Sequence, residues 1–520
     1  MSKITTARSA VADIKNNSVV ASVGVIGWIT PDAVLAALGE RFKQSQLPEN
    51  LTFYFPCGTG DAVYIKGMDH VAQEGLMKRI VSGSYINPRH PDTGERPALM
   101  GLIKNDLVEA YSWPIGASMQ WLREVARKSP GYITEIGLDT YIDPIHGGGK
   151  FTERAQENLV ERIEIAGKTF LFYPTWNIDC AIIHASSSDE DGNLSFETEA
   201  LVSSAKALAI AAKACGGKVI AQVRNIVPKH SRTASVVELP GLFVDDVVLT
   251  PDAMMGTNTP YDETFFSGKK AELTQLPKPM MSIDKVIARR AALEVKKREL
   301  SIFGFGAAAD VPLVMNEQGL FDDGAIDDYY FTTEHGSYGG VVMSGWQFSA
   351  NKNPTSIIDG LMQFDVIDGG LCKFAALAFA EFDSKGTVNV SKFAGANPGA
   401  GGFIDIAQNA QRLVFTGSFT TGGLKTEIKD GALHIIQEGR FKKFCRQAES
   451  VTYRVIEGVI RGQTALIVTE RAVFEVTSNG LKIIEIAPGI DFQKDIVEQM
   501  EFPLIETPNN IPLMSKMLFE

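Results

Sequence analysis

The chain has 520 residues, and its 50 basic and 62 acidic side chains leave a formal net charge of −12. With 45% hydrophobic and 22% charged residues the composition is that of a globular protein, which excludes disorder as the dominant state. At about 150 residues per domain this length allows two or three domains. An acidic pI near 5.3 argues against a surface that neutralises nucleic-acid phosphates or an anionic membrane.

The cysteines indicate neither a disulfide framework nor a metal site. They are odd in number, widely spaced and without CxxC or Cys/His clusters, so we predict no structural zinc and no other metal. The first residues lack an apolar signal segment, and no run of 18 apolar residues follows, so we predict a cytoplasmic protein. The five cysteines are Cys57, Cys180, Cys215, Cys372 and Cys445.

Short apolar runs alternate with helical patterns along the chain. Helical spacing is present in residues 7–14, 31–42 and 198–212. Strands that alternate with helices in this way favour βαβ units and parallel sheets covered on both faces. The apolar runs predicted to be strands are 19–23, 51–55, 181–183, 218–221 and 246–249.

An internal similarity divides the chain. A helical pattern at 7–11 leads to the strand beginning at Val19, and a similar pattern at 288–292 leads to the strand beginning at Leu300. We therefore predict two related, open α/β domains with mainly parallel sheets, duplicated within one chain, at residues 1–275 and 280–520. After Leu413 the alternating pattern predicts a more antiparallel closing segment.

The first glycine-rich segment is Gly304-Phe305-Gly306-Ala307-Ala308-Ala309, between a predicted strand and a predicted helix. It fits the GxGxxA pattern of dinucleotide-binding turns, whose backbone N–H groups hold phosphate. A tight βα turn without a ligand explains the same glycines equally well.

The second segment is the run from Phe331 to Gly340, which contains Glu334 and His335. A glutamate between a strand and a flexible glycine stretch is well placed as a carboxylate nucleophile, although a solvated loop glutamate is the common alternative. His335 suggests a histidine-assisted nucleophile, but Ser337 lacks the GxSxG elbow of hydrolases.

The third segment, from Gly395 to Ile406, contains four glycines, three of them in the stretch 399–402 just before an apolar run. Such glycines permit positive φ and close backbone approach to a ligand, and their N–H groups can form an oxyanion hole. A bulge or a corner is the alternative.

The order of the three segments, GxGxxA, Thr-Glu-x-Gly-x-x-Gly-Gly and Gly-x-Gly-Gly-Phe-Ile-Asp-Ile, resembles the family I coenzyme A transferases. The resemblance is greatest to the branch that acts on acetate, propionate and acetoacetate. Stretches such as 72–79, 137–144, 363–370 and 486–491 extend it over nearly the whole chain.

The resemblance implies a ping-pong CoA-transferase with Glu334 as the nucleophile and a γ-glutamyl-CoA thioester as intermediate. It implies an oxyanion donor at Gly401 and Gly402, and CoA binding at Gly304, Gly306, Ala307 and Ala308. Coenzyme A is then a substrate, no cofactor is permanently bound, and the partners are acyl-CoA and small carboxylates. A homo-oligomer, a dimer or a tetramer, is also implied.

Three positions depart from the family pattern. Relatives commonly carry Pro-Gln-Gly where this chain has Ile115 between Pro114 and Gly116, and isoleucine cannot donate the hydrogen bond attributed to the glutamine. His335 and Tyr338 replace residues that are usually small or apolar, which suggests a changed acyl pocket. Two alternatives remain: an NAD(P)-dependent oxidoreductase that uses the GxGxxA turn, and a non-catalytic CoA-binding module.

Overall fold

The computed structural model describes residues 2–85, 90, 92–507 and 510–520. Its fold is mixed α/β, with two large sheets formed by different parts of the chain. Within the described residues the α-helices are α1 (Ala7–Ala10), α2 (Asp32–Ser45), α3 (Ala98–Lys104), α4 (Ile115–Arg127), α5 (Ala205–Ala214), α6 (Ile283–Ala292), α7 (Val311–Glu317), α8 (Gly360–Asp368), α9 (Phe403–Asn409) and α10 (Val455–Ile460).

The part of the chain that contains strands β1 to β12 is called here the N-terminal half. It forms a nine-stranded sheet in the order β1-β12-β11-β9-β2-β3-β4-β5, with β10 beside β9. All its pairs are parallel except β10 with β9. Strands β6, β8 and β7 form a small antiparallel sheet. The strands are β1 (Ile4–Thr5), β2 (Val19–Ser22), β3 (Leu51–Phe55), β4 (Met77–Ser82), β5 (Glu109–Ser112), β6 (Gly131–Thr134), β7 (Glu161–Ile165), β8 (Lys168–Pro174), β9 (Cys180–Ser188), β10 (Leu194–Ser195), β11 (Lys218–Ile226) and β12 (Asp246–Leu249).

The part that contains strands β13 to β31 is called the C-terminal half. It has a nine-stranded sheet in the order β18-β15-β14-β13-β19-β22-β29-β30-β31. Its central strands, from β14 to β29, are parallel, and both edges are antiparallel. The strands are β13 (Leu300–Phe303), β14 (Tyr330–Thr332), β15 (Ser337–Tyr338), β16 (Val341–Val342), β17 (Asn351–Lys352), β18 (Ser356–Ile357), β19 (Phe374–Ala378), β20 (Glu381–Asp383), β21 (Thr387–Asn389), β22 (Arg412–Thr416), β23 (Thr420–Thr421), β24 (Lys425–Lys429), β25 (Ala432–Gln437), β26 (Phe441–Lys442), β27 (Phe444–Cys445), β28 (Tyr453–Arg454), β29 (Thr464–Val468), β30 (Ala472–Thr477) and β31 (Gly480–Ile486).

The structure confirms the α/β class and most of the predicted elements. Strands β3 and β12 have the predicted bounds, and the chain closes with the antiparallel strands β29 to β31. Two helices are shorter than predicted. The first helix ends at Ala10, and α5 begins at Ala205 rather than at residue 198. The predicted boundary between domains, at residues 275–280, stays a prediction.

An aromatic cluster fixes helix α4, which reaches from the N-terminal to the C-terminal half. The rings of Trp113 and Trp121 pack against each other and against Tyr54 with centroids 4.8–6.1 Å apart. On its other side, Gln120 Nε2 donates to Asp365 Oδ1 of α8 over 2.7 Å. Helix α4 is therefore packed in the N-terminal half and hydrogen-bonded to the C-terminal half.

Candidate active site

Glu334 lies in the turn between β14 and β15, just beyond the carboxyl end of a parallel strand. Ligands of open α/β sheets bind at this edge. The amide of buried Gln363 supports the turn, because its Nε2 donates to the carbonyl of Thr333 over 2.8 Å. The side chain of Glu334 is 17% exposed, so its carboxylate is accessible but largely shielded from solvent.

Gly402 approaches the Glu334 carboxylate most closely. It precedes α9 with φ −86°, and a β-carbon at this position would collide with Oε2 of Glu334. Among the described residues no protein acceptor takes the N–H of Gly402, whereas the N–H of Gly401 donates to the carbonyl of Gly83 over 3.0 Å. Of the two predicted glycines, Gly402 therefore has the N–H that is available to a ligand.

The peptide group between Gly401 and Gly402 has a fixed orientation. Its carbonyl oxygen, that of Gly401, accepts the N–H of Ile115 at the start of α4 over 3.1 Å. In a planar trans peptide the N–H points away from the C=O. The hydrogen bond to the N-terminal half thus fixes the direction of the Gly402 N–H beside Glu334.

His335 is fully buried next to Glu334. Its Nδ1 lies 3.2 Å from the Ser203 hydroxyl of the N-terminal half, and its Nε2 lies 3.6 Å from Oε1 of Glu334. The Nε2 atom has no hydrogen-bond partner within the described part of the chain.

Two other buried groups lie within electrostatic range of Glu334. Burial raises the pKa of Asp405 to about 8, and the negative charge of Glu334 adds to the shift. Burial also raises the pKa of the Cys57 thiol, again with a contribution from Glu334. Asp405 Oδ2 accepts the N–H of Gly116 in the first turn of α4, over 3.4 Å.

The GxGxxA turn occupies the neighbouring position on the same sheet edge. Gly304 follows β13, which pairs with β14 on one side and β19 on the other. Gly306 has φ +82° and begins a short 3-10 helix. Ala307 and Ala308 are buried where this helix packs against α6, and Phe305 is 63% exposed. The turn and Glu334 thus lie on adjacent strands, as a ligand spanning both would require.

Two of the departures from the family pattern, Ile115 and Tyr338, differ in what their side chains contact. Ile115 is buried and its Cδ1 would lie 3.8 Å from a β-carbon on Gly401. The Tyr338 hydroxyl instead hydrogen-bonds Gln363, the residue that supports the Glu334 turn. Tyr338 therefore contributes to the rigidity of the turn.

Sequence reasoning singled out Ile115 but missed three other residues that the N-terminal half contributes. Gly83, Ser203 and Cys57 were not predicted to belong to the site. Cys57 stands after strand β3 in a glycine-containing turn, which is a signal that could have identified it. Gly83 and Ser203 carry no local signal, because they join the site only through packing of the two halves.

Two observations concern metal ions and membrane spans. Within residues 2–85, 90, 92–507 and 510–520, no three His, Cys, Asp or Glu side chains form a group that could hold a metal ion. In the same part of the chain, no helix combines the length and the apolar character that a membrane span requires.

Comparisons with known proteins show the family to which the chain belongs. A model of the coenzyme A transferase family matches residues 4–250. The acetate CoA-transferase YdiF of Escherichia coli O157:H7 is 37% identical over 519 residues, 99% of this chain and 95% of that protein. The caffeate CoA-transferase of Acetobacterium woodii is 37% identical over 512 residues, 96% of this chain and 94% of that protein.

A solved structure supports the same assignment. The acyl-CoA transferase YdiF of E. coli O157:H7, in a thioester complex with CoA, matches with a TM-score of 0.90 at 35% identity. The match covers 100% of this chain and 96% of that one. The chain belongs to the coenzyme A transferase family. It is a transferase that uses CoA, so the nicotinamide-dependent oxidoreductase and the non-catalytic module lose their support.

Proposed function

We propose that the protein transfers CoA from a short-chain acyl-CoA to a free carboxylate, by a ping-pong mechanism with Glu334 as the nucleophile. The observation that carries this proposal is the approach of Gly402, with its available N–H, to Oε2 of Glu334. A preorganised N–H donor beside a carboxylate stabilises the oxyanion that forms when the carboxyl carbon is attacked.

The reaction needs no ATP, because one thioester is exchanged for another. The Glu334 carboxylate attacks the acyl-CoA carbonyl, and the C–S bond breaks. CoA leaves as a thiolate, and the acyl group stays on Glu334 as an anhydride. The thiolate then attacks the glutamyl carbonyl, which releases the first acid and leaves a γ-glutamyl-CoA thioester. A second carboxylate reverses the two steps and leaves as its CoA ester.

The substrate class follows from the relatives and from the walls of the site. The relatives are named for acetate and caffeate. Here the apolar side chain of Ile115 lies beside Gly401, and the Cys57 thiol lies within electrostatic range of Glu334. We propose acids of the acetate, propionate, butyrate or acetoacetate type. We assign CoA binding to the turn at Gly304, Gly306, Ala307 and Ala308, because it adjoins Glu334 on the same sheet edge.

Intact-mass measurement after incubation with acetyl-CoA tests the proposal. We expect an adduct of CoA less one water, which peptide mapping assigns to Glu334. Glu334→Ala should abolish both the adduct and exchange, and Glu334→Asp should leave little, because the shorter arm misplaces the carboxylate. The control Glu475→Ala, at an exposed glutamate of β30, should keep both. Exchange by Glu334→Ala at a rate near that of the unmodified protein would refute the nucleophile.

Three further predictions are part of the proposal. The chain is expected to comprise domains 1–275 and 280–520, to assemble as a homodimer or homotetramer, and to work in the cytoplasm. Limited proteolysis, sedimentation and cell fractionation test them in turn.

A further inference from the structure

His335 has a feature that the proposed chemistry has not yet used. Its side chain is fully buried, yet Nε2 has no hydrogen-bond partner among the described residues. Buried polar groups in native proteins are normally hydrogen-bonded, so an exception next to a reacting carboxylate indicates a function. The nearest charged oxygen is Oε1 of Glu334, at 3.6 Å.

The surroundings of the ring favour one tautomer. The Ser203 hydroxyl lies 3.2 Å from Nδ1, and by donating to that nitrogen it leaves the proton on Nε2. The carboxylate facing Nε2 favours the same tautomer, because an unprotonated nitrogen would direct its lone pair at a negative oxygen. The imidazole therefore directs an N–H at Glu334.

The site also lacks a donor at the position where the family resemblance implies a glutamine. The side chain of Ile115 donates nothing, and its backbone N–H is engaged by the carbonyl of Gly401 over 3.1 Å. The N–H of Gly401 is engaged by Gly83. Gly402 lies on the side of Oε2, so its N–H is not placed to serve the other oxygen of Glu334.

We infer that His335 is the second hydrogen-bond donor of the reaction centre, acting on Oε1 of Glu334 in the role that Ile115 leaves unfilled. This inference rests on the proposed function of Glu334. His335 replaces a small or apolar residue of the family pattern. In this inference it supplies the hydrogen-bond donor that the side chain of Ile115 lacks. His335 touches a reacting atom and is in this sense a catalytic residue.

The chemical step needs no proton from His335. When the CoA thiolate attacks the glutamyl carbonyl of the anhydride, a C–S bond forms and the carbonyl electron pair moves onto oxygen. Collapse of this intermediate breaks the bond to the bridging oxygen and expels the acid as its carboxylate. One glutamyl oxygen carries the oxyanion and the other departs with the acid, so donors to both oxygens stabilise the step.

The distance of 3.6 Å is longer than a hydrogen bond in the resting enzyme. Catalytic hydrogen bonds are often long without substrate and shorten in the transition state. A contact that strengthens only as charge develops raises kcat more than it lowers KM. We therefore expect the effect of His335 in kcat and in the rate of thioester formation.

The test replaces the donor and then restores it. His335→Phe keeps a ring of similar volume without a donor, and we expect kcat and the single-turnover rate of glutamyl-CoA formation to fall on the order of 10²-fold, with KM little changed. His335→Gln retains a donor and should lose less. Adding Ile115→Gln to His335→Phe should recover about tenfold or more of the lost rate, which a purely structural role of His335 would not permit.

The outcomes separate the two proposals. A rate of adduct formation within about twofold of the unmodified protein in His335→Phe, or no recovery with Ile115→Gln, overturns the role of His335. If His335→Phe does not fold, Ser203→Ala carries the test, since it keeps the imidazole but removes the hydroxyl that selects the tautomer. An unchanged kcat in Ser203→Ala would then overturn the inference. Absence of any glutamyl adduct in the unmodified protein would instead refute the proposed function.

Discussion

Gly402→Ala changes the reaction centre with little change to the backbone. The φ of −86° and ψ of 6° at Gly402 suit alanine, so the substitution introduces no conformational strain. The added methyl group would collide with Oε2 of Glu334 and lie 3.4 Å from its Cδ and 3.5 Å from Cζ of Phe364. The carboxylate is therefore the group that has to move.

The expected loss in kcat follows from the displacement of the carboxylate. To reach an ordinary van der Waals distance from the methyl group, Oε2 has to move by about 1 Å, out of its position beside Gly402. A displacement of about 1 Å at a reacting group costs on the order of 10²-fold, and loss of one oxyanion donor about 10²–10³-fold. Because both effects concern the same contact they do not add, and we expect a loss of about 10²–10³ in kcat, or about 2.7–4 kcal/mol in the barrier.

Gly401→Ala is the matched control. A β-carbon there has Cδ1 of Ile115 at 3.8 Å as its nearest neighbour, but φ is +60°. We expect it to cost about 1–2 kcal/mol of stability and less than tenfold in rate. Rapid-quench mass spectrometry of the CoA adduct, combined with thermal unfolding, distinguishes the two variants. Full activity in Gly402→Ala would refute the reasoning. So would a loss of activity that parallels the loss of stability in both variants.

The remaining predictions concern Ile115 and Asp405. With His335 in place, Ile115→Gln should change turnover with acetate, measured as exchange rate, by less than about twofold, because His335 already fills the donor role; a rise of about tenfold or more would contradict that assignment. Ile115→Pro removes the N–H that holds the Gly401 carbonyl, at a helix start where proline is tolerated, and should lower kcat at least about tenfold; retained kcat contradicts the role of that bond. Burial raises the pKa of Asp405 to about 8, so between pH 4 and 8 the folded state keeps a proton that the unfolded state releases, and stability falls as pH rises. Denaturant titrations of Asp405→Asn should therefore lack this decline of stability with rising pH, and parallel profiles for both proteins would contradict it.

The fold could be predicted where short-range pattern and packing agree. Strand β3 has its predicted bounds because an apolar run is flanked by residues that end strands. Helix α5 starts later than predicted because residues 198–204 make long-range contacts instead. There the N–H of Thr198 donates to Ser186, and Glu199 pairs with Arg224. Alanine-rich helical spacing carries no information on such partners.

Ile115 was the one site residue of the N-terminal half that the sequence singled out, and the rest of the predicted site lies in the C-terminal half. Glu334 and Gly402 stand in motifs that can be identified locally, and the structure brings them together. Ser203 lies 132 positions from His335, and Gly83 is still farther in sequence from Gly401. Their contribution depends on how the two halves pack, a property that no local pattern encodes.

The packing of the halves also explains how a backbone N–H becomes an effective donor. The carbonyl of Gly401 is held by Ile115, and the N–H of Gly401 by Gly83, so the peptides on both sides of this residue are fixed by the N-terminal half. A fixed dipole needs no reorganisation when charge develops, which is the condition for electrostatic catalysis. The hydrogen bond from Ile115 also polarises the peptide and strengthens the opposite N–H. The N-terminal half thus orients the Gly402 N–H, while the proposed nucleophile, Glu334, belongs to the C-terminal half.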